Sequence, residues 1–217
     1  MTVPSPVAAA GALVSFTILA GGKPVSDGWQ VVSIDVWTGL FTPSRARLVI
    51  VGGDPGQESF AVSESPILAP GVDLSVALGF DGQDRAVFSG VVRRQGIAFD
   101  PGQPSRLIVD AEGQAPTLPD GQAPVLTLTY GVSIEALRLT TVGTAPEIEG
   151  QISFPGSALA SPGCLVTLAG LGSRFNGDVA VSAVHHRMAD GLWTTIVTLG
   201  DRTSMNAGDA QIGAIGG

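Results

Sequence analysis

The chain has 217 residues, among them 30 glycines and 15 prolines, and its formal net charge is −8. Glycine costs about 1 kcal/mol and proline about 3 kcal/mol in a helix interior, so this composition excludes a coiled coil or a helical bundle. An apolar fraction of 44% excludes a disordered chain. A single lysine and the lack of a basic run disfavour binding to nucleic acid or to an anionic membrane surface.

The first apolar segment, residues 7–20, is predicted to contain a strand. No lysine or arginine precedes it, so it does not fit a signal peptide. The part Leu13–Leu19 is rich in β-branched residues and alternates in part, which favours a strand. Since no apolar run reaches the roughly 18 residues of a membrane helix, we expect a soluble protein.

Short strand signals then recur along the first half, separated by glycine and proline turns. The turn Asp81-Gly82 is typical of a hairpin. The strands predicted here are Leu13–Leu19, Gln30–Trp37, Arg45–Val51, Val72–Phe80, Ala86–Gln95 and Ser105–Ala111. We interpret residues 1–112 as one β-barrel domain and 113–124 as a linker.

The second half also has short strand signals separated by glycine and proline turns. Its predicted strands are Val125–Tyr130, Glu149–Phe154, Cys164–Leu168, Asp178–Arg187 and Trp193–Leu199. One short helix is predicted at Ser133–Leu139. Strands this frequent indicate an all-β sandwich or barrel, with residues 125–200 as the second domain and 201–217 as a tail.

The two halves share an ordered pattern that suggests an internal duplication. Pro70-Gly71 and Pro162-Gly163 each begin a strand, and a Phe-x-Gly tripeptide follows at residues 88–90 and 175–177. We interpret each phenylalanine as a plug of its barrel and each glycine as the point where a strand bends. The alternative is an unrepeated all-β chain, because any such chain yields some matches of this kind.

Five segments of the two halves have distinctive residue patterns. In the second half residues 170–177 read GLGSRFNG, 181–187 read VSAVHHR and 190–195 read DGLWTT. In the first half residues 70–80 read PGVDLSVALGF and 88–92 read FSGVV. These segments resemble hub proteins of contractile injection systems, the family of Vgr-type proteins and the phage late control protein D. The resemblance covers most of residues 13–112 and 124–200.

The resemblance implies a non-enzymatic, mechanical role. Such hubs are trimers in which each chain contributes two tube-like barrels, so that a pseudo-sixfold ring joins a hexameric inner tube to a trimeric spike. It implies assembly in the cytoplasm followed by incorporation into an injection particle or virion. No nucleic-acid binding and no stable membrane insertion are expected.

The sequence departs from the family in two places. Only about thirty residues separate the two halves, where family members usually carry a long insert, and the chain lacks the β-helical spike that follows in Vgr-type proteins. The spike is therefore expected on a separate chain, and the alternative is that the sequence is a trimmed form of a longer hub. Two other functions stay open, a tail-tube-like or baseplate ring subunit and a cell-wall-degrading tip enzyme.

Few residues offer chemistry. Dispersed aspartates could supply a glycosidase pair, but neither their spacing nor flanking aromatics supports one. Adjacent strand residues point to opposite faces, so His185 and His186 cannot share a metal ion, and no metal or cofactor is expected. Cys164 is expected to be buried and unreactive.

The candidate functional residues are therefore structural or interface residues. The strand Val179–Arg187 and the loop Arg174–Gly177 are predicted to lie near an intersubunit or tube-facing surface, because the most family-like residues concentrate there. The candidates are Phe88, Gly90, Arg174, Phe175, Asn176, Gly177, His185, His186 and Trp193.

Overall fold

Thirteen strands and one short helix form the regular structure in the computed structural model, which describes residues 3–6, 12–25, 28–117, 123–142 and 147–200. The all-β prediction is confirmed. The strands are β1 (Val14–Ala20), β2 (Lys23–Pro24), β3 (Val31–Gly39), β4 (Thr42–Val51), β5 (Asp73–Phe80), β6 (Arg85–Ala98), β7 (Arg106–Glu112), β8 (Pro124–Thr129), β9 (Ala136–Val142), β10 (Glu147–Pro155), β11 (Leu165–Ala169), β12 (Gly177–Ala189) and β13 (Leu192–Leu199). The helix α1 is Ala61–Glu64, and a 3-10 turn follows at Pro66–Leu68. None of the helical segments in the described ranges has the length and hydrophobicity of a membrane span.

Every strand predicted from the sequence is present, with ends shifted by at most three residues, but the predicted helix Ser133–Leu139 is wrong. Its residues contribute most of β9, which pairs antiparallel with β10. The hydroxyl of Ser133 accepts a hydrogen bond from the amide of Thr129 at 2.9 Å, so this serine closes a turn instead of capping a helix. Pairing with a neighbouring strand overrides the weak helix preference of the segment.

Tight hairpins connect β5 to β6 and β12 to β13. The turn residues Asp81 and Gly82 have φ values of +52° and +79°, and Asp190 and Gly191 have +53° and +74°. Two successive positive φ values are typical of the type I′ turn, which matches the twist of antiparallel strands. The hairpin predicted at Asp81-Gly82 is confirmed.

The two halves of the chain have the same strand order. In the first half β1, β5, β6, β7, β4 and β3 lie side by side, and in the second half β8, β11, β12, β13, β10 and β9 do so. The halves differ at one end, where β1 pairs with β5 antiparallel and β8 pairs with β11 parallel. A seam between β3 and β12, which pair antiparallel, joins the halves into one continuous sheet.

The Pro-Gly turns also have the same hydrogen bonds in both halves. The amide of Gly71 donates to the carbonyl of Val92 at 2.9 Å, and the amide of Gly163 donates to the carbonyl of Val181 at 2.7 Å. In return, each valine amide donates to the residue after the glycine, at 2.9 Å in both cases. The glycines have φ values of +94° and +89°, the conformation that a type II turn requires after proline.

This correspondence shifts the predicted Phe-x-Gly equivalence by two residues. A β-bulge follows Val92 in β6 and Val181 in β12, so these valines occupy the same place in the two halves. Four residues before them stand Phe88 and Gly177. Phe88 and Phe175 are therefore not at corresponding positions.

Two hydrophobic cores lie under the sheet. The first is built from the first half around residues such as Ile34, Leu48 and Leu78, but it also contains Met188 and Trp193 from the second half. The second core contains residues of the second half, among them Leu126, Ile152, Phe154, Cys164 and Val166. The β12–β13 hairpin thus crosses the division predicted at residues 113–124 and packs into the first core.

Trp193 fits this core because a glycine lies beside it. A Cβ atom on Gly156 would lie 2.0 Å from the Cδ2 atom of the indole, well inside van der Waals contact. The amide of Gly156 donates to the carbonyl of Trp193 at 2.8 Å. The centroid of the indole also lies 5.4 Å from that of the Phe80 ring and 5.9 Å from that of the His186 ring.

Candidate functional site

A row of alternating charges crosses five neighbouring strands, from β6 to β12. Arg94, Asp110, Arg47, Asp35 and Arg187 each lie directly opposite the next residue of the row. Directly opposite residues share one face of a sheet, and opposite charges in that position attract each other. The row lies on the face opposite the core and passes over the seam.

Asp110 lies at the centre of the tightest part of this row. Its carboxylate accepts hydrogen bonds from Arg47 Nε at 2.7 Å and from Arg94 Nη2 at 2.6 Å. Burial alone would raise the pKa of Asp110, but the two arginine hydrogen bonds outweigh it and lower that pKa. The hydrogen bond with Asp110 in turn raises the pKa of Arg47. Asp110 is therefore a carboxylate throughout the neutral pH range.

At the seam the row contacts a histidine and a tryptophan. His185 Nε2 lies 2.9 Å from Asp35 Oδ1, and the imidazole stacks on Trp37 with ring centroids 4.8 Å apart. Asp35 and Trp37 belong to β3 and His185 belongs to β12, so these side chains bridge the two halves. The seam is therefore held by main-chain pairing and also by two side-chain interactions, a polar contact between His185 and Asp35 and ring stacking between His185 and Trp37.

Arginines that are distant in sequence thus meet on one face, which the count of basic residues did not predict. The charged face, as we name this surface, has four arginines and three carboxylates among its members, although the chain as a whole is acidic. Its residues are Arg45, Arg47, Arg94, Arg187, Asp35, Asp110 and Glu112. Interleaved carboxylates repel phosphates, so this face is better suited to a protein surface of alternating charge than to a nucleic acid.

Three of the predicted site residues are structural. Phe88 is 4% exposed and Trp193 is 5% exposed, and both belong to the first core. Gly90 lies where β6 approaches β7 closely, since a Cβ atom there would lie 2.4 Å from the carbonyl oxygen of Glu112. At position 90 any residue other than glycine would therefore require a shift of the backbone.

The predicted loop Arg174–Gly177 lies at the surface between β11 and β12, and its last residue, Gly177, is already the first residue of β12. Arg174 is exposed, and the side chain of Asn176 accepts a hydrogen bond from the amide of Leu171 at 2.8 Å. Phe175 is only half-buried, because it lies in a turn before the strand begins. The prediction that Phe175 plugs the second barrel is therefore wrong.

The adjacent histidines point to opposite faces, as expected for neighbours on a strand. His186 is 3% exposed, and its Nδ1 lies 3.1 Å from the hydroxyl of Thr195. Burial, with a smaller contribution from the charge of His185, lowers the pKa of His186 to about 3. His186 is therefore a neutral core residue, whereas His185 belongs to the seam.

The remaining chemistry-bearing residues are also used structurally. Cys164 is buried, and burial raises the pKa of its thiol. Asp84 accepts hydrogen bonds from the hydroxyls of Ser15 and Thr17, at 2.5 Å and 2.7 Å. Asp100 pairs with Arg106 at 2.6 Å. Within the described ranges no three His, Cys, Asp or Glu side chains are grouped to hold a metal ion.

Of the residues of the charged face, only Arg187, in the predicted strand Val179–Arg187, was predicted from the sequence to lie near a functional surface. A signal for the others existed. Charged residues alternate with small apolar ones in Arg45-Ala46-Arg47 and in Asp110-Ala111-Glu112, the pattern of a strand with one solvated face. What the pattern lacks is the register, which decides which charges become neighbours.

Three solved structures to which this chain is similar are two tail proteins and one component of a secretion system. The 43 kDa tail protein of prophage MuSo2 from Shewanella oneidensis matches with a TM-score of 0.58 and 10% identity, over 85% of this chain and 95% of that one. A tail protein from Neisseria meningitidis MC58 matches with a TM-score of 0.59 and 10% identity, over 87% and 96%. A component of the E. coli type VI secretion system, itself similar to the T4 tail proteins gp27 and gp5, matches with a TM-score of 0.53 and 11% identity, over 85% and 76%. At this identity the likeness shows a common fold.

The sequence itself matches one family. Residues 10–119 and 138–190 fit the model described as the Alg8 N-terminal domain, so the chain belongs to that family. This match does not confirm the assignment to Vgr-type proteins that residues 170–177 suggested. A comparison with curated proteins finds no significant match.

Proposed function

We propose that the chain is a structural hub of a phage tail or contractile injection system, which adapts a hexameric inner tube to a trimeric spike. The observation that carries the proposal is the common strand order of the two halves, with the same Pro-Gly turn and the same bulge in each. The fold likeness to tail proteins, which spans both halves, supports the same role.

Two similar units in one chain fit the symmetry that a hub needs. Two similar units in one chain, repeated in three chains, form a ring of six similar units. One surface of that ring suits a sixfold tube, while the differences between the units leave a threefold arrangement for the spike. The parallel pairing of β8, in place of the antiparallel pairing of β1, is one such difference.

The role is mechanical and needs no catalysis. Asp84, Asp100 and Asp110 are engaged in hydrogen bonds or ion pairs, and the one described cysteine is buried in a core. The partners proposed are copies of the chain itself, an inner tube protein and a spike protein on a separate chain. The charged face offers alternating charges for one of these contacts.

The mass of the purified assembly tests this proposal. A trimer that shows six similar lobes by electron microscopy, and that binds tube protein at one end, is the expected result. A hexamer of the chain favours a tube-like ring subunit instead. Measurable peptidoglycan hydrolysis by the purified chain, absent from a sample depleted of it, contradicts the structural role.

A further inference from the structure

The two halves share one strand order but differ in how their long strands are paired. In the second half β12 is paired along one edge for nearly its whole length, first with β11 over residues 177–180 and then with β3 over residues 183–189. In the first half β5 pairs with the corresponding strand, β6, only as far as Val91. Among the described residues no strand extends this edge of β6 beyond that point.

A second open edge lies at the other end of the sheet. The strand β9 is the last in the order, and it pairs with β10 on one side only within the described ranges. By strand order β9 corresponds to β3, and β6 corresponds to β12. The seam between β3 and β12 therefore has two open counterparts, and one chain carries both.

We propose that β9 of one copy pairs antiparallel with residues 94–99 of a second copy, which are the end of β6 and the residue after it, and that this pairing repeats the internal seam between chains. This inference rests on the proposed function, because it treats the two halves as equivalent units. Since the two edges differ, the contact is head-to-tail, and successive contacts of this kind close into a ring when the rotation permits.

The register of the proposed contact follows from the internal seam. There His186 lies opposite Val36 and Met188 lies opposite Ile34, and all four side chains are buried. The bulges after Val92 and Val181 relate β6 to β12 residue by residue. By this count the positions of His186 and Met188 are taken by residues 97 and 99.

The ladders on the other side relate β9 to β3. Ala46 lies opposite Ala111 in the first half, and Gly150 lies opposite Leu199 in the corresponding place of the second. Following these pairs outward to β3 and β9 places residue 139 at the position of Val36 and residue 137 at that of Ile34. The proposed contact therefore joins residue 97 to 139 and residue 99 to 137.

The side chains at these four positions support the contact. They are Ile97, Phe99, Leu139 and Leu137, all apolar, at places where the internal seam buries its side chains. Ile97 and Phe99 are each 65% exposed and Leu137 is 38% exposed. Because Ile97 lies opposite the buried Leu107, it points to the core side of the sheet, and it is nevertheless exposed at the open edge.

An open cleft beside these residues offers space for the neighbour. Its volume is about 320 Å³, and its lining includes Phe60, Ile97 and Phe99. The apolar side chains of an added strand fill such a space while its backbone satisfies the open edge, which is the usual mode of strand addition. An edge with exposed apolar side chains is otherwise an aggregation hazard.

Disulfide trapping between copies tests the register directly. One full-length variant carries Ile97→Cys and a second carries Leu139→Cys, and the two are mixed and oxidised under mild conditions. We expect a disulfide-linked dimer in the mixture and much less of it in either variant alone. The matched control replaces Leu139→Cys by Thr140→Cys, which moves the thiol to the opposite face of β9 and should reduce trapping at least tenfold.

A second variant tests the apolar contact without new cysteines. Phe99→Asp should shift the assembly to monomers, whereas Leu192→Asp, at a side chain that is 70% exposed but lies on a hairpin, should leave the mass unchanged. Thermal melting of both variants checks that the fold is intact. An oligomer that persists with Phe99→Asp, or that traps residue 97 equally with residues 139 and 140, overturns the inference.

The outcomes separate this inference from the proposed function. A trimer that binds tube protein but shows no trapping between residues 97 and 139 overturns the edge contact and leaves the hub proposal standing. Trapping within a ring of another size supports the edge contact and contradicts the trimeric hub. A chain that stays monomeric at every concentration tested overturns both.

Discussion

The replacement Trp193→Ala tests whether the β12–β13 hairpin holds the two halves together. Trp193 is part of the second half in sequence but lies in the core of the first, where it is 5% exposed. An indole side chain buries roughly 200 Å², which at about 25 cal/mol per Å² corresponds to ~5 kcal/mol. Measured replacements of this type cost about 3–5 kcal/mol.

The indole N–H determines where in this range of about 3–5 kcal/mol the cost of Trp193→Ala falls. Trp193 Nε1 is buried, and no hydrogen-bond acceptor for it lies among the described residues. Burial of an unpaired donor costs about 1–3 kcal/mol, and alanine removes that cost together with the ring. We therefore expect Trp193→Ala to lower the free energy of unfolding by about 3 kcal/mol, as measured by urea denaturation at fixed protein concentration.

A double-mutant cycle with Gly156 isolates the contact. Gly156 does not have a positive φ, so Gly156→Ala brings no backbone strain, and its cost comes from the 2.0 Å approach of the new Cβ to the indole. Overpacking of this kind costs about 1–3 kcal/mol. The same replacement in the Trp193→Ala background should cost close to nothing, because the methyl group then fills part of the space left by the ring.

Phe175→Ala is the matched control for Trp193→Ala. Phe175→Ala removes an aromatic ring of a half-buried side chain in a loop, and it should cost less than about 1 kcal/mol. If Trp193→Ala costs no more than Phe175→Ala, the hairpin does not anchor the first core. If Gly156→Ala costs the same in both backgrounds, the two residues do not interact and the packing described for them is wrong.

Three further results are expected. Asp110→Asn removes the ion pairs with Arg47 and Arg94 at a partly exposed site. It should therefore lower the free energy of unfolding in urea by at most about 1 kcal/mol. This loss should vanish as the pH falls below the lowered pKa of Asp110, because the wild-type carboxylate is then protonated. Because folding lowers the pKa of His186 from 6.5 to about 3, the unfolded chain binds the extra proton, and stability should decline from pH 6.5 towards pH 3 by up to about 1.4 kcal/mol per unit. His186→Gln should remove this slope, and an unchanged slope contradicts a neutral buried imidazole. The thiol of Cys164 should react with a thiol reagent only after unfolding, and fast labelling of the native protein contradicts its burial.

Much of the fold was predictable because the turn residues that separate its strands act locally. Glycine, proline and aspartate in turns set the strand ends, and the Asp81-Gly82 hairpin formed as its residues require. The helix predicted over Ser133–Leu139 failed because that segment has a neighbouring strand available, which local preference does not reveal. Non-local pairing decided the outcome wherever local signals were weak.

The charged face was less predictable, for the same reason. Alternation along β4 and β7 showed which residues are solvated, but not that Arg47 would lie between Asp35 and Asp110. The sequence separation between these partners exceeds sixty residues in the case of Asp110, and only the register brings them together. The Phe-x-Gly pattern gave a wrong equivalence. The tripeptide occurs in both halves of the sequence, but its two copies do not lie at corresponding positions of the two sheets.

The internal seam and its open counterparts differ in chemistry, and the difference fits their tasks. On the outward face the seam has the Asp35–His185 contact, but the corresponding positions of the open edges hold Arg138 and Gly96, which cannot form an ion pair. The seam is formed within one chain, so polar contacts suffice to fix its register after the halves have met. A contact between separate copies must also supply the free energy of association, and burial of apolar side chains is the larger source of it. The exposed Ile97 and Phe99 at the open edge are placed where that contribution is needed.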